Sequence, residues 1–591
     1  MRKAILTVFP LLVFGTCSSC KRGPADFPVF TQEFIETTLA LSPTGATAAG
    51  YHKHNGVELD SHLDDYSAAG IEKSRAVWAD LKAKLERFDR QKLDPESQAD
   101  AELIESQIKL TDLEDKELQS WKHNPTIYVE TIGNGLFVPY SVEYAPPEQR
   151  WQHIVSRLRE VPRLLDEAKQ QLVDSPPIWK KVAIEENDGT IGMIEQTFPD
   201  KVPASLKSDY DAAAKTATAA MRSFNEWLKV SLKDSDAESW RLGKEKYAKK
   251  FALVMGIDAP PEVILARAEE ALNQTRRDLF EVAVPLHHKF YPTHVDKVDV
   301  NLIVGETFKK IDEHHPKPEA YMDEARKALE ETRSFLKAHP EQLVKDPPRD
   351  NLQVIETPAF MRGIYAVGGF SPAPPMEPKL SAFYWVTPIP KDWPTERVES
   401  KLREDSNYGL RILTIHEAIP GHYVQAEYAS MVEPLSRRML RAIYGSGVYV
   451  EGWAVYATAE MLKAGYLDNS PELKMQNLKW ELRAIANTIL DIKYHTMGLT
   501  DEQAMELMMG RTFQEKEEAV AKVQRAKLAS CQLPTYFTGY SEWRRLRAEA
   551  EAKEGKSFRA GAFNERALRE GALPMNTLER VMGLREEPSA R

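Results

Sequence analysis

The chain has 591 residues, more than one hydrophobic core usually serves, and its 42% hydrophobic and 28% charged content is that of a folded globular protein. A net charge of −11 without a long basic run argues against nucleic acid as a partner, because phosphate binding needs clustered Lys and Arg.

Arg2 and Lys3 precede an apolar run from Ala4 to Gly15, broken by Thr7 and Pro10 and followed by Thr16, Cys17, Ser18, Ser19 and Cys20. That is the layout of a secretory signal over residues 1–20, too short to span a membrane. The expected location is therefore the periplasm or cell envelope. Two forms of the mature chain stay open: simple secretion, or membrane attachment through a lipid on Cys20, with Cys17 as the other candidate. Cys531 is the third of three cysteines, so a disulfide framework is excluded.

Helical spacing of apolar residues predicts helices over 71–88, from Pro95 onward, and over 147–175, 203–235 and 259–283, the last with Pro260 and Pro261 in its first turn. Residues 345–395 are rich in Pro and Gly and carry β-type runs at Leu352–Ile355, Gly363–Val367 and Ala382–Thr387. Helix returns from 396. The fold class expected is mainly α with a small β-sheet. A division near 345 would separate an N-terminal helical region, 21–345, from a site-bearing region, 346–591.

The chemistry concentrates in two short segments. The first runs His416-Glu417-Ala418-Ile419-Pro420-Gly421-His422. In H-E-x-x-H, two histidines four apart lie on one helix face and reach one metal, with the Glu as general base. Here they are six apart and would diverge by about 120° on a regular helix. Pro420 and Gly421 fall in the interval, so a bulge or break there would return His422 to the face of His416. Alternatively one His caps while the other packs. The second segment is Glu451-Gly452-Trp453-Ala454, opening a helix to about Lys463. Glu451 shares a small, mostly apolar face with Ala454, Val455 and Thr458, where a carboxylate needs a partner, either a cation or a metal. Two His and a Glu form a known catalytic zinc set.

These segments resemble the bacterial DUF885 family, zincin-like metallopeptidase candidates with H-E-A-x-P-G-H followed by E-G-W-A. The likeness extends to Ser42–Gly50, to Asn124-Pro125 with Tyr128, to Gln532 with Tyr536 and Gly539, and to Phe563–Leu578. It implies a zincin-like helical cleft with the sheet beside the metal site, Zn2+ on His416, His422 and Glu451, Glu417 as general base, and hydrolysis of a peptide or small amide. The chain departs from the family pattern at Ser530-Cys531, where Pro-Gly is usual, at Ala526 for Tyr and at Asn564 for His.

Further candidates follow downstream. Ser470 and Pro471 start a helix whose stripe Met475, Leu478, Leu482, Ile485, Ile489 and Ile492 continues to His495. His495 reads either as a donor to the substrate oxyanion or as a partner that orients a metal ligand, or as a residue favoured by the helix dipole. Tyr536 is a candidate catalytic donor, and Tyr540 a hydrogen-bonding candidate beside it. Arg525 offers a fork of donors for a substrate carboxylate. Tyr384 is placed on a strand that could pair with an extended peptide. Thr500 to Gln503 reads as a capping box. The pair His287-His288 and the run Glu515–Glu518 read as solvated faces. The remaining functional alternatives are a zinc hydrolase of non-peptide amides or esters, and a non-catalytic surface lipoprotein.

Overall fold

In the computed structural model, residues 23–294, 299–362, 365 and 367–584 are described. The proposed signal, with Cys17 and Cys20, lies outside them. The fold is mainly α. Helix starts follow the expected chemistry: Asp94 accepts a bond from the Ser97 amide ahead of Pro95–Leu113, and Ser470 accepts one from Leu473 ahead of Pro471–Met497. The capping box between Thr500 and Gln503 is present. Among the described residues no helix is long and apolar enough to cross a membrane.

Three cores hold the helices together. Helices Phe27–Leu39, Ala68–Leu85 and Pro95–Leu113 bury Phe30, Phe34, Leu81 and Ile104 together with Met439 and Leu440 from far along the chain. Helices Thr126–Ser141, Pro147–Gln171 and Lys207–Val230 enclose a second core around Tyr128, Leu158 and Phe224. The largest core unites residues 240–344 with 382–582. The division near 345 therefore does not separate two cores: helices on both sides of it bury their apolar faces in one cluster.

The larger of two sheets among the described residues has three strands, Leu352–Glu356, Gly368–Ser371 and Ala382–Val386, with the last in the middle. It pairs parallel with the first and antiparallel with the second. The run Gly363–Val367 precedes its expected strand, which forms at Gly368–Ser371; Gly363, Ile364 and Ala366 lie outside the described residues. Alternation along the middle strand sends Ala382, Tyr384 and Val386 into the largest core, and Phe383 and Trp385 into a small cluster with Val142.

Candidate metal centre

The helix Asn407–Glu417 is buried over nearly its whole length and presents His416 and Glu417 in its last turn. It then breaks. Ala418 leaves helical dihedrals (φ −117°, ψ −91°), the Gly421 amide donates to the Ile415 carbonyl at 2.9 Å, and His422 opens a new helix, His422–Ala429. A Cβ on Gly421 would lie 2.0 Å from the His416 carbonyl oxygen, so only glycine lets the chain fold back this tightly.

The second motif clamps the break. Trp453 Nε1 donates to the carbonyls of Pro420 (3.0 Å) and Gly421 (3.2 Å). Its helix, Gly447–Lys463, is N-capped by Ser446, which carries Glu451 inward on the second turn. Gly452 lies against Gly539 of the helix Thr535–Glu554 so closely that a Cβ would meet the Gly539 carbonyl carbon at 2.4 Å. That contact seats Tyr536 beside the site.

The outcome is convergence. His416 Nε2 and His422 Nε2 lie 3.6 and 3.4 Å from the same oxygen, Glu451 Oε2. That oxygen is buried and has no hydrogen-bond partner. Ligands on one tetrahedral ion at about 2.1 Å stand about 3.4 Å apart, so the donor set fits a divalent metal. Two other His–carboxylate groups differ. Glu306 takes a direct 2.7 Å hydrogen bond from His287. Asp60 accepts from Thr47 at 2.7 Å, with His153 at 3.8 Å. Their carboxylates are already satisfied. His287 is thus buried against Glu306, not on a solvated face, because its helix packs that side inward.

Gln532 fixes the carboxylate. Its Nε2 donates to Glu451 Oε1 at 3.3 Å, leaving Oε2 toward the imidazoles, while its Oε1 accepts from Arg525 Nη2 at 3.1 Å. Burial opposes charge on Glu451, but His416 and His422 hold its carboxyl far below the usual range. His422 is raised: burial works against the imidazolium and Glu451 outweighs it. Tyr536 stacks on His416 at 6.2 Å and 19°, and burial keeps its phenol protonated. Glu417 and Arg525 line the cleft with it.

Two cavities meet at His416, Glu417, Arg525 and Tyr536: one of about 510 Å³, also lined by His422 and Glu451, and a smaller one of about 90 Å³ beyond Trp480.

Three expected residues stand elsewhere. His495 is buried, as the stripe implies, but packs between Trp240 and Tyr247. Its Nε2 donates to the Ala529 carbonyl (3.1 Å) and its Nδ1 accepts from the Leu242 amide (3.4 Å), so both nitrogens are used behind the cleft. Burial holds it below its ordinary value, in the neutral form. It braces the loop that bears Gln532, together with Asp491, which accepts from the Cys531 amide at 3.0 Å. Cys531 adopts φ 64°, the left-handed region where the resembled family carries Gly. Tyr384 sits on the middle strand, with no free edge for a peptide, and its hydroxyl bonds Thr414 at 3.1 Å. The edge strand beside the cleft is Gly368–Ser371, which contributes Gly368 and Phe370. Tyr540 turns to Glu481 and Arg544 instead of the cleft.

Sequence reasoning missed Gln532's contact, the Trp453 clamp and Glu518. The last belongs to a run read as solvated, yet it is buried against Arg483 and Lys522. A signal for this was available: Arg483, Asn487 and Asp491 recur every fourth residue as a polar stripe beside the apolar one on the same helix.

A mainly helical chain with a small internal sheet and a buried His–His–Glu cluster is the class these features define. The chain belongs to the DUF885 family of bacterial proteins of unknown function, whose model matches residues 43–582. No curated protein matches it. It is similar to the structure of a candidate lipoprotein of unknown function from Shewanella oneidensis, at TM-score 0.75 and 28% identity over 94% of this chain and 99% of that one. A candidate lipoprotein from Colwellia psychrerythraea shares the fold at TM-score 0.74 and 18% identity, over 95% of this chain and 99% of that one.

Proposed function

We propose that the protein is an exported zinc-dependent hydrolase of amide bonds, a peptidase with a zincin-like cleft. The observation that carries this reading is the unpartnered Glu451 oxygen facing two imidazole nitrogens at ligand spacing. His416, His422 and Glu451 would hold the ion, with Gln532 orienting the carboxylate. A zinc ion so held supplies Lewis acidity that brings a water's pKa near 7.

The chain's own groups do the rest. Glu417 takes the proton of the attacking water and delivers it to the departing amine. Tyr536, kept protonated by burial, donates to the oxygen on which charge develops. His495 acts at one remove, through the loop it braces. The large cavity, with Phe370 on the edge strand, would seat the peptide. Likeness to a candidate lipoprotein supports envelope location, with Cys20 as the lipid-bearing residue.

The test joins metal analysis to a peptide-library digest. Purified protein should carry about one zinc per chain and cut peptides, and Glu417→Gln should keep the metal while losing about 100- to 10,000-fold in rate. A Glu417→Gln protein of normal activity would falsify the mechanism. Protein without stoichiometric metal and insensitive to chelators would point to the non-catalytic lipoprotein. Cleavage of small amides or esters but no peptide would move the substrate class alone.

A further inference from the structure

The small cavity concentrates cationic side chains in a narrow space. Arg483, Lys522 and Arg525 all line it, with Glu518 as the carboxylate among them and Glu417 at its mouth. Glu518 is shared, 3.6 Å from Arg483 and 3.4 Å from Lys522. Arg483 also pairs with Glu404 behind the wall. Arg525 is bonded to neutral groups, Gln532 and Tyr536. Of the charged groups that line this space of about 90 Å³, three are the cations Arg483, Lys522 and Arg525 and two are the carboxylates Glu417 and Glu518. Asn487 adds a second observation: it lines the same space, is 2% exposed, and its side-chain oxygen has no partner. An amide there can donate or accept according to its orientation. Burial, only partly offset by Glu518 and reinforced by Arg525 and Arg483, lowers Lys522 to about 8, so an arriving anion would relieve an existing cost. The large cavity shares Arg525 and also holds Arg438, bonded to the Ser430 carbonyl at 2.8 Å, and Arg441, already consumed by Glu96 and Asp100, but its walls include Phe370, Pro372 and Ala373.

We propose that this cavity binds a carboxylate of the substrate, carried by the residue on the leaving-amine side of the bond that is cut. The inference rests on the hydrolase reading above. Lys522, Arg525 and Asn487 are its binding residues. A volume this small suits one short residue, while the longer acyl part lies in the large cavity. Water would add its oxygen to the acyl carbon as the C–N bond breaks, and the amine would leave protonated as a single residue. Two sources supply the carboxylate: the chain's own C-terminus, which makes the enzyme a carboxypeptidase, or an Asp or Glu side chain.

The experiment uses full-length, zinc-loaded protein and three versions of one peptide: Ala at the C-terminus as the free acid, the same peptide amidated, and an amidated peptide with Asp in place of that Ala. The free acid should be cut about 100-fold more efficiently (kcat/KM) than the amidated Ala peptide, with one amino acid released. Preference for the Asp amide instead would assign the pocket to a side chain. Equal cleavage of the free acid and both amides overturns the proposal. Binding to Glu417→Gln separates this failure from that of the hydrolase reading. A tenfold tighter grip on the carboxylate-bearing peptides, with no turnover by the wild type, sinks only the hydrolase. Lys522→Met should lose at least tenfold of the preference while retaining zinc, and Lys522→Arg should restore it. Full preference in a zinc-loaded Lys522→Met removes Lys522 from the site and overturns the assignment.

Discussion

Glu451 and Glu404 are both carboxylates turned into the protein, and their surroundings differ in kind. Glu404 is 3% exposed and saturated: Lys479 Nζ at 3.1 Å and the Glu515 amide at 3.1 Å on Oε2, and Arg483 on Oε1. Glu451 has one oxygen bonded to Gln532 and the other aimed, unpartnered, between two imidazoles. A carboxylate whose bonds are complete serves structure. One left incomplete at ligand spacing marks a place for something not made of protein. Burial and negative charge alone do not distinguish them; an unpartnered oxygen beside two imidazoles at ligand spacing does.

The contrast can be broken by substitution. Glu451→Ala should lower zinc affinity by more than about a thousandfold and leave folding nearly intact in the presence of chelator, as competition with a zinc indicator and thermal melts would show. Glu404→Gln should do the reverse, costing about 3–5 kcal/mol of stability because Lys479 and Arg483 lose their counter-charge, with zinc affinity unchanged once folded. A Glu404→Gln protein as stable as the wild type in urea would show that its network is not structural.

Acid should separate them as well. Burial opposes charge on Glu404, but Lys479 and Arg483 hold its carboxyl at about 2, below the 4.5 of a free Glu. Its stabilisation is therefore complete above pH 4.5 and is lost as pH falls toward 2, roughly 3 kcal/mol in all. Asp312 acts with opposite sign: burial and Glu404 raise it to about 7 against the pull of Lys479, so its contribution declines as pH rises from about 4 to 7. Denaturant midpoints measured between pH 2 and 7 should show both limbs, and Glu404→Gln should flatten the acid one and shrink the other, since Glu404 helps raise Asp312. The smallest effect belongs to Gln532→Ala, which frees the Glu451 carboxylate to rotate. A loss of about 10- to 100-fold in zinc affinity is expected, and none would mean that Gln532 does not orient the ligand.

Much of this was legible beforehand. Caps at Asp94, Ser470 and Thr500 are local interactions, so their residues announce them. The helix break between His416 and His422 follows from their spacing and from Pro420-Gly421. His495 shows the limit. Periodicity says that a residue is buried but not against what, and His495 faces Trp240 and Tyr247 from a helix whose neighbouring stripe reaches the cleft through Arg483 and Asn487. Tyr384 fails for a related reason, since a strand's residues do not reveal whether it is central or at an edge.

The amino-acid order by itself determined the helical class, the broken helix and the residue types able to hold a metal, because each depends on neighbours within a turn or two. Only the tertiary structure decided that Glu451, 35 residues past His416, meets both imidazoles through one oxygen, that Gln532 holds it there, and that Glu518 turns inward to Lys522. Those contacts join helices distant in the chain, and their geometry depends on backbone approaches such as Gly452 against Gly539, which no local pattern encodes.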